Sequence, residues 1–221
     1  MTAGSMTPDQ VGLDPRAAAA PAAAPAENAF FAGNPLALGI PVFVAGSVAL
    51  GLTLLGYVSS AGVGAPLAII AAATGLGLMI ATVWALAVGQ SAVASVSGIF
   101  GTFWLSYAAL VLGLLHNWFA IAAGDVVHTQ GLFLITWIVI MSMLTISTLR
   151  LPLAFTAVFA LVVLALIFVL IGTINASPNM LKAGGVVVLL FAAIGVYIYY
   201  SVGSAITGGP EIPLGNPIIK S

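Results

Sequence analysis

Residues 153–174 read Leu-Ala-Phe-Thr-Ala-Val-Phe-Ala-Leu-Val-Val-Leu-Ala-Leu-Ile-Phe-Val-Leu-Ile-Gly-Thr-Ile, a run without a charged side chain. At about 1.5 Å per residue, a helix of this length crosses the ~30 Å hydrocarbon core of a bilayer. Just before it stands Leu149-Arg150-Leu151-Pro152. Proline starts a helix well but cannot continue one, so this tetrapeptide is a tight turn. Without that turn, the apolar runs on either side would fuse and the even number of spans would be lost.

Working outward, five more apolar stretches of similar length appear. They are Leu36–Val58, Pro66–Val88, Val96–Leu115, Gly131–Leu149 and Ala183–Ile206. Ser59-Ser60-Ala61-Gly62 with Gly64-Ala65-Pro66, then Gly89-Gln90-Ser91, supply the first two turns. The third connection, His116 to Gln130, is the longest and most polar, and Ser177-Pro178-Asn179 centres the fifth. The expected fold is an all-α membrane protein, a six-transmembrane-helix bundle over 34–209. A disordered Ala/Pro-rich tail is expected over 1–33 and a short C-terminal tail over 210–221. Pro15, Pro21 and Pro25 break any helix in the first tail, which has no apolar signal-peptide core.

Composition agrees with this reading. Of 221 residues, 62% are hydrophobic and 4% charged, too few charges to cover a surface in water. No charge lies between Glu27 and Asp125, and only Arg150 and Lys182 lie between Asp125 and Glu211. A net charge of −1 gives no basic patch for nucleic acid, and the absence of cysteine removes disulfides, thiolate metal sites and cysteine nucleophiles. The lysine and arginine bias puts Arg16, Arg150 and Lys220 inside and Lys182 outside, with the N-terminus cytoplasmic in a plasma or inner membrane.

Candidate chemistry is sparse. His116, Asp125 and His128 share the third connection, but their spacing matches no short metal motif, and Trp118 and Phe119 suit a membrane-interface belt. No metal or cofactor is expected, and no nucleophile, base and orienting group cluster as an enzyme requires. Gly98, Thr102 and Ser106, with Gly101 beside them, form a small-residue stripe suited to close helix packing. Ser142, Thr145 and Thr148 share one helical face; such hydroxyls donate either to a solute oxygen or to their own helix. Gly33-Asn34-Pro35-Leu36-Ala37-Leu38-Gly39 places a strong capping residue and a favoured first-turn proline at the start of the first span. Its free N–H groups and dipole are expected to attract an anion at the membrane surface.

That peptide resembles the opening signature of the acetate uptake transporter family, the succinate–acetate permeases, which usually reads Asn-Pro-Ala-Pro-Leu-Gly-Leu. Gly101-Thr102-Phe103-Trp104-Leu105 is similar to the family's Gly-Ser-Phe-Trp-Leu, with Phe100 where the family has tyrosine. Ile212-Pro213-Leu214-Gly215 is similar to its Leu-Pro-Ile-Gly ending. Ala92-Val93-Ala94-Ser95-Val96-Ser97 departs from the family's Phe-Gly-Leu-Thr-Ala-Phe, keeping a hydroxyl at Ser95 and losing both aromatics.

The resemblance implies a homohexamer in the lipid bilayer, with a narrow pore in each protomer that passes acetate and other small carboxylate anions, succinate in some members. It places Asn34 and Pro35 at the pore mouth and Phe43, Phe100 and Val162 at the constriction. Ser95 and Thr102 are candidate hydroxyls beside the path. No carboxylate, lysine, arginine or histidine lies within the apolar runs, so an internal proton relay is not expected. Two other readings stay open: a pore for another small solute, and a non-conducting structural or accessory subunit.

Overall fold

A computed structural model describes residues 32–210 and 212–220. The expected N-terminal tail therefore lies almost wholly outside the described residues. Among the described residues six helical spans are long and apolar enough to cross a membrane, and there is no strand. Their α-helical parts are α1 (Leu36–Leu55), α2 (Gly77–Ala87), α3 (Ser91–Leu115), α4 (Val126–Ser147), α5 (Leu153–Ile174) and α6 (Pro178–Ile206). A π-wound stretch, Ile69–Leu76, runs directly into α2, so that the second span covers Ile69–Ala87.

Three helices start earlier than the apolar runs suggest. α3 begins at Ser91, α4 takes in His128 and Gln130, and α6 begins at Pro178 and includes Lys182. Hydrophobicity marks where lipid begins, whereas helices extend past it into the interface. Pro178, at the favoured first-turn position, marks the start of α6 better than hydropathy does. His116 stays in the connection and stacks on Trp118 at 5.7 Å. Trp118 and Tyr57 are exposed at that end, and Tyr200 at the other, as expected of aromatic belts.

The six helices close into a ring. α1 packs on α6, α6 on α5, and α5 on α4; in the other direction α1 packs on the second span, which packs on α3. α3 and α4 complete the circuit largely through aromatic side chains, with Phe103 5.2 Å from Trp137 and 6.0 Å from Phe133. Short connections make neighbours in sequence antiparallel, so α1, α3 and α5 start at one end of the ring.

Glycine sets the tightest contacts. A Cβ on Gly185 would lie 3.0 Å from the Gly51 carbonyl oxygen and 2.9 Å from Leu54 Cβ, so α1 and α6 cross almost backbone to backbone. On the other side of α1, a Cβ on Gly46 would overlap the Thr74 side chain, which the π-wound segment presses against it. The C-terminal tail folds back across the end where α5 begins and α6 finishes. Ala154 N–H donates to the Leu214 carbonyl at 2.9 Å, Tyr197 Oη to the Pro213 carbonyl at 2.7 Å, and Ile219 N–H to the Leu149 carbonyl at 3.0 Å. Gly215 turns with φ +84, and a side chain there would meet Leu153. Beneath the strap, Thr156 Oγ1 donates to the Thr148 carbonyl at 2.8 Å and ties the end of α4 to the start of α5.

Gly185→Val is expected to force α1 and α6 apart and cost roughly 1–3 kcal/mol, read as a lower unfolding temperature in detergent. Gly203→Ala, where nothing lies within 4 Å of the added Cβ, is expected to leave that temperature unchanged or slightly raised.

Candidate functional site

Four cavities follow one another along the inside of the ring, and each shares lining residues with the next. An open cavity of about 470 Å³ lies at the end that carries the tail, lined by Asn34, Leu36, Phe155, Ser201, Ile212 and Pro213 among others. Leu36 and Phe155 also line a chamber of about 70 Å³ that reaches Gly39, Leu78 and Ser97. Phe43 and Phe100 separate this chamber from a second one of about 60 Å³, which touches Trp104, Tyr107 and Val162. Tyr107 and Phe133 then lead into an open cavity of about 360 Å³ near Leu115, Val126 and Gln130. No charged side chain lines any of the four.

Between the two small chambers four phenylalanines form a plug. The Phe43 and Phe100 rings meet edge to face at 4.9 Å. Phe191 of α6 stacks on Phe43 at 5.7 Å, and Phe159 of α5 lies 5.6 Å from Phe100. All four are buried. Edge-to-face and offset pairs are favourable arrangements worth about 0.5–1.5 kcal/mol each beyond burial, so the plug is a packed element.

Most hydroxyls within the helices are consumed by their own backbone. Ser47, Thr82, Thr102 and Thr145 each donate to the carbonyl four residues back, at 2.7 to 3.0 Å. Ser97 differs. It is 4% exposed, it lines the chamber, and its hydroxyl has no hydrogen-bond partner among the described residues. Beyond the plug the indole N–H of Trp104, a residue 1% exposed, is also unpartnered. Thr74 Oγ1, held against Gly46, is likewise buried without a partner among the described residues.

At the mouth, Asn34 Oδ1 accepts a hydrogen bond from Leu36 N–H at 3.0 Å, and Pro35 has helical angles and is buried. The peptide therefore caps α1 as its residue types predict. Its N–H groups are not left free, however. Ala37 N–H donates to the Asn34 carbonyl, and Leu38 and Gly39 N–H both donate to that of Pro35. The expectation of an anion held by free amides at this helix end is corrected accordingly.

The sequence model of the GPR1/FUN34/yaaH family matches residues 16–206. The chain belongs to the GPR1/FUN34/yaaH family. Among curated relatives it is 31% identical over 121 residues to a meiotically up-regulated gene 86 protein of Schizosaccharomyces pombe, covering 50% of this chain and 38% of that protein. It is 30% identical over 174 residues to acetate permease A of Emericella nidulans, covering 72% of this chain and 57% of the relative. The chain thus spans well under two thirds of both. Among solved structures it resembles the bacterial acetate channel SatP, with a TM-score of 0.72, 22% identity and coverage of 83% of this chain and 99% of that one. At that identity the likeness establishes a shared six-helix fold. The family is the one to which the Asn-Pro, Gly-Thr-Phe-Trp-Leu and Ile-Pro-Leu-Gly peptides pointed.

Within this GPR1/FUN34/yaaH member the residues singled out from sequence divide into two groups. Phe43 and Phe100 touch each other in the plug, Asn34 lines the tail-side cavity, and Val162 lines the inner chamber. Ser95 and Thr102 are exposed on the outside of α3 and line none of the four cavities. The reason is helical register: each is two residues from a path-lining position, Ser97 and Phe100, and so lies on nearly the opposite side of the helix. Sequence reasoning missed Phe159 and Phe191. Phe159 is one turn before Val162 on the same face of α5, a signal that helical spacing does supply. Phe191 lies in a run apolar on all sides, where nothing distinguishes a core ring from a lipid-facing one.

Phe43→Ala removes the ring that touches both Phe100 and Phe191. It is expected to join the two small chambers and to raise labelled-acetate flux into proteoliposomes, or to admit larger acids. Unchanged flux and selectivity in a well-folded variant would place Phe43 outside the path.

Proposed function

We propose that this chain is a channel-like permease for small monocarboxylic acids, acetate foremost, with one path through each protomer. The observation that carries this reading is the run of four cavities interrupted at the four-phenylalanine plug. The path runs from the mouth at Asn34, Pro35 and the C-terminal strap, past Phe43 and Phe100, to the chamber at Val162 and out beside Tyr107. The names of two relatives agree with it, one an acetate permease and one an acetate channel. Assembly as a hexamer, passage of succinate, a plasma or inner membrane and a cytoplasmic N-terminus belong to the same reading. On that orientation Arg150 and Lys220 share the tail-side end, which faces the cytoplasm.

The chemistry of the plug selects the form that passes. An ionised carboxylate entering phenylalanine rings loses its hydration and finds no counter-charge, a penalty far above that for the neutral acid. The cavities hold no titrating carboxylate, lysine or histidine to relay a proton. The proton therefore travels on the solute. The unpaired polar groups beside the plug include a hydroxyl, which donates and accepts, and an indole N–H, which only donates. Both suit an acid's oxygens.

The test is flux against pH for two acids of different pKa at fixed total concentration. As pH rises through an acid's own pKa its neutral fraction falls, so flux is expected to fall there. The stronger acid's profile is expected to lie at lower pH by the difference between the two pKa values. A His116→Ala, His128→Ala double variant is expected to leave both profiles in place. One midpoint shared by both acids and abolished in the double variant would show a histidine gate. No flux above protein-free vesicles would favour the non-conducting accessory subunit.

A further inference from the structure

Within the proposed transport function, on which this inference rests, we propose that Ser97 and Trp104 form a pair of donor sites. One lies on each side of the plug, and they receive the solute's carboxyl oxygen before and after it passes the phenylalanines.

The two residues share one face of α3 with the plug. Ser97, Phe100 and Trp104 are separated by three and four residues, the spacing that stacks side chains along a helix. Ser97 lines the chamber on the tail side of Phe100, and Trp104 lines the chamber beyond it. Both side chains are more than nine-tenths buried, at 4% and 1% exposed, and neither has a hydrogen-bond partner among the described residues.

Each feature runs against the pattern of the surrounding protein. A helical serine in an apolar setting ordinarily donates to the carbonyl three or four residues back, as Ser47 and Ser106 do here. The Ser97 hydroxyl does not. Beside it stands Gly39 of α1, whose Cβ, if present, would lie 3.5 Å from Ser97 Oγ and 3.5 Å from Ala81 Cβ. The hydroxyl thus faces a position with no side chain on it. A buried indole N–H usually finds an acceptor, and leaving it bare costs stability unless a ligand supplies one. Two such donors bracketing one plug are accounted for together by a solute that carries acceptor oxygens.

The pair also explains how an apolar constriction can discriminate. Phenylalanines alone would pass any small neutral molecule in proportion to its solubility in hydrocarbon. A donor on each side lowers the energy of an acid waiting at the plug and of the same acid just past it. Ser97 stands where the resembling family peptide has phenylalanine, so the first donor is a feature of this chain.

The experiment is concentration-dependent uptake of labelled acetate at fixed acidic pH, in proteoliposomes of the full chain. Wild type, Ser97→Ala, Ser97→Thr and Trp104→Phe are compared. Ser97→Ala is expected to raise the half-saturating concentration roughly tenfold, the worth of one lost hydrogen bond to a carboxyl group, and Ser97→Thr to restore it. Trp104→Phe keeps an aromatic ring, loses the donor, and is expected to lower the maximal flux several-fold. A Ser97→Ala half-saturation equal to wild type overturns the first site. Trp104→Phe flux equal to wild type overturns the second. Ser97→Thr behaving like Ser97→Ala overturns the hydroxyl as the cause. Wild-type vesicles that take up no acetate overturn the transport reading itself, and this inference with it.

Discussion

The near-contact of α1 and α6 at Gly51 and Gly185 is the constraint on which the rest of the structure depends. With no side chain at either position, the two antiparallel helices approach until backbone atoms almost touch. The same seam continues at Gly195, where an added Cβ would lie 2.8 Å from Val44. Beside the Gly195 contact Phe43 and Phe191 stack at 5.7 Å. A wider crossing would draw those rings apart and open the middle of the bundle. In lipid, where apolar surface gains little by meeting apolar surface, close packing of this kind supplies much of the helix association.

The same scarcity of polar groups governs the interior. Water is absent from the hydrocarbon core, so each hydroxyl either finds a partner, most often its own helix, or costs free energy. Ser47, Thr82 and Thr145 take the first course. The π-wound start of the second span, where Thr74 is pressed on Gly46 without a partner, does not. Single-turn π distortions recur at functional sites. Here the longer stretch Ile69–Leu76 leads directly to Leu78, which lines the tail-side chamber.

Much of this architecture was legible in the chain. Arg150-Leu151-Pro152 separates α4 from α5, Asn34 caps α1, and the apolar runs give six spans. Polar residues at helix starts were misread because hydropathy reports lipid, not helix: Val126 to Gln130 is helical although His128 and Gln130 are polar. The site was harder. In a soluble helix one apolar face identifies the core, but these helices are apolar all round, so rotation about the axis leaves no trace in sequence. That is why Ser95 and Thr102 fall on the outside while Ser97 faces the chamber, and why Phe191 joined the plug unannounced; Phe159 is legible only from its spacing to Val162. Phe43 and Phe100 were accessible through the family resemblance and not through periodicity.

The account centres on a neutral acid crossing an uncharged plug, and charge movement tests that most directly. Labelled acetate uptake is measured in proteoliposomes under imposed potassium diffusion potentials of either sign, with internal pH followed in parallel. A neutral solute carries no charge through the membrane field. Uptake should then be insensitive to potential, and the vesicle interior should acidify in step with it. Moving one elementary charge through the full field is worth about 2.3 kcal/mol per 100 mV, roughly a fiftyfold change in driving force. Uptake rising by a large part of that factor when the interior is made positive, without acidification, would mean that the anion itself passes and would contradict the account.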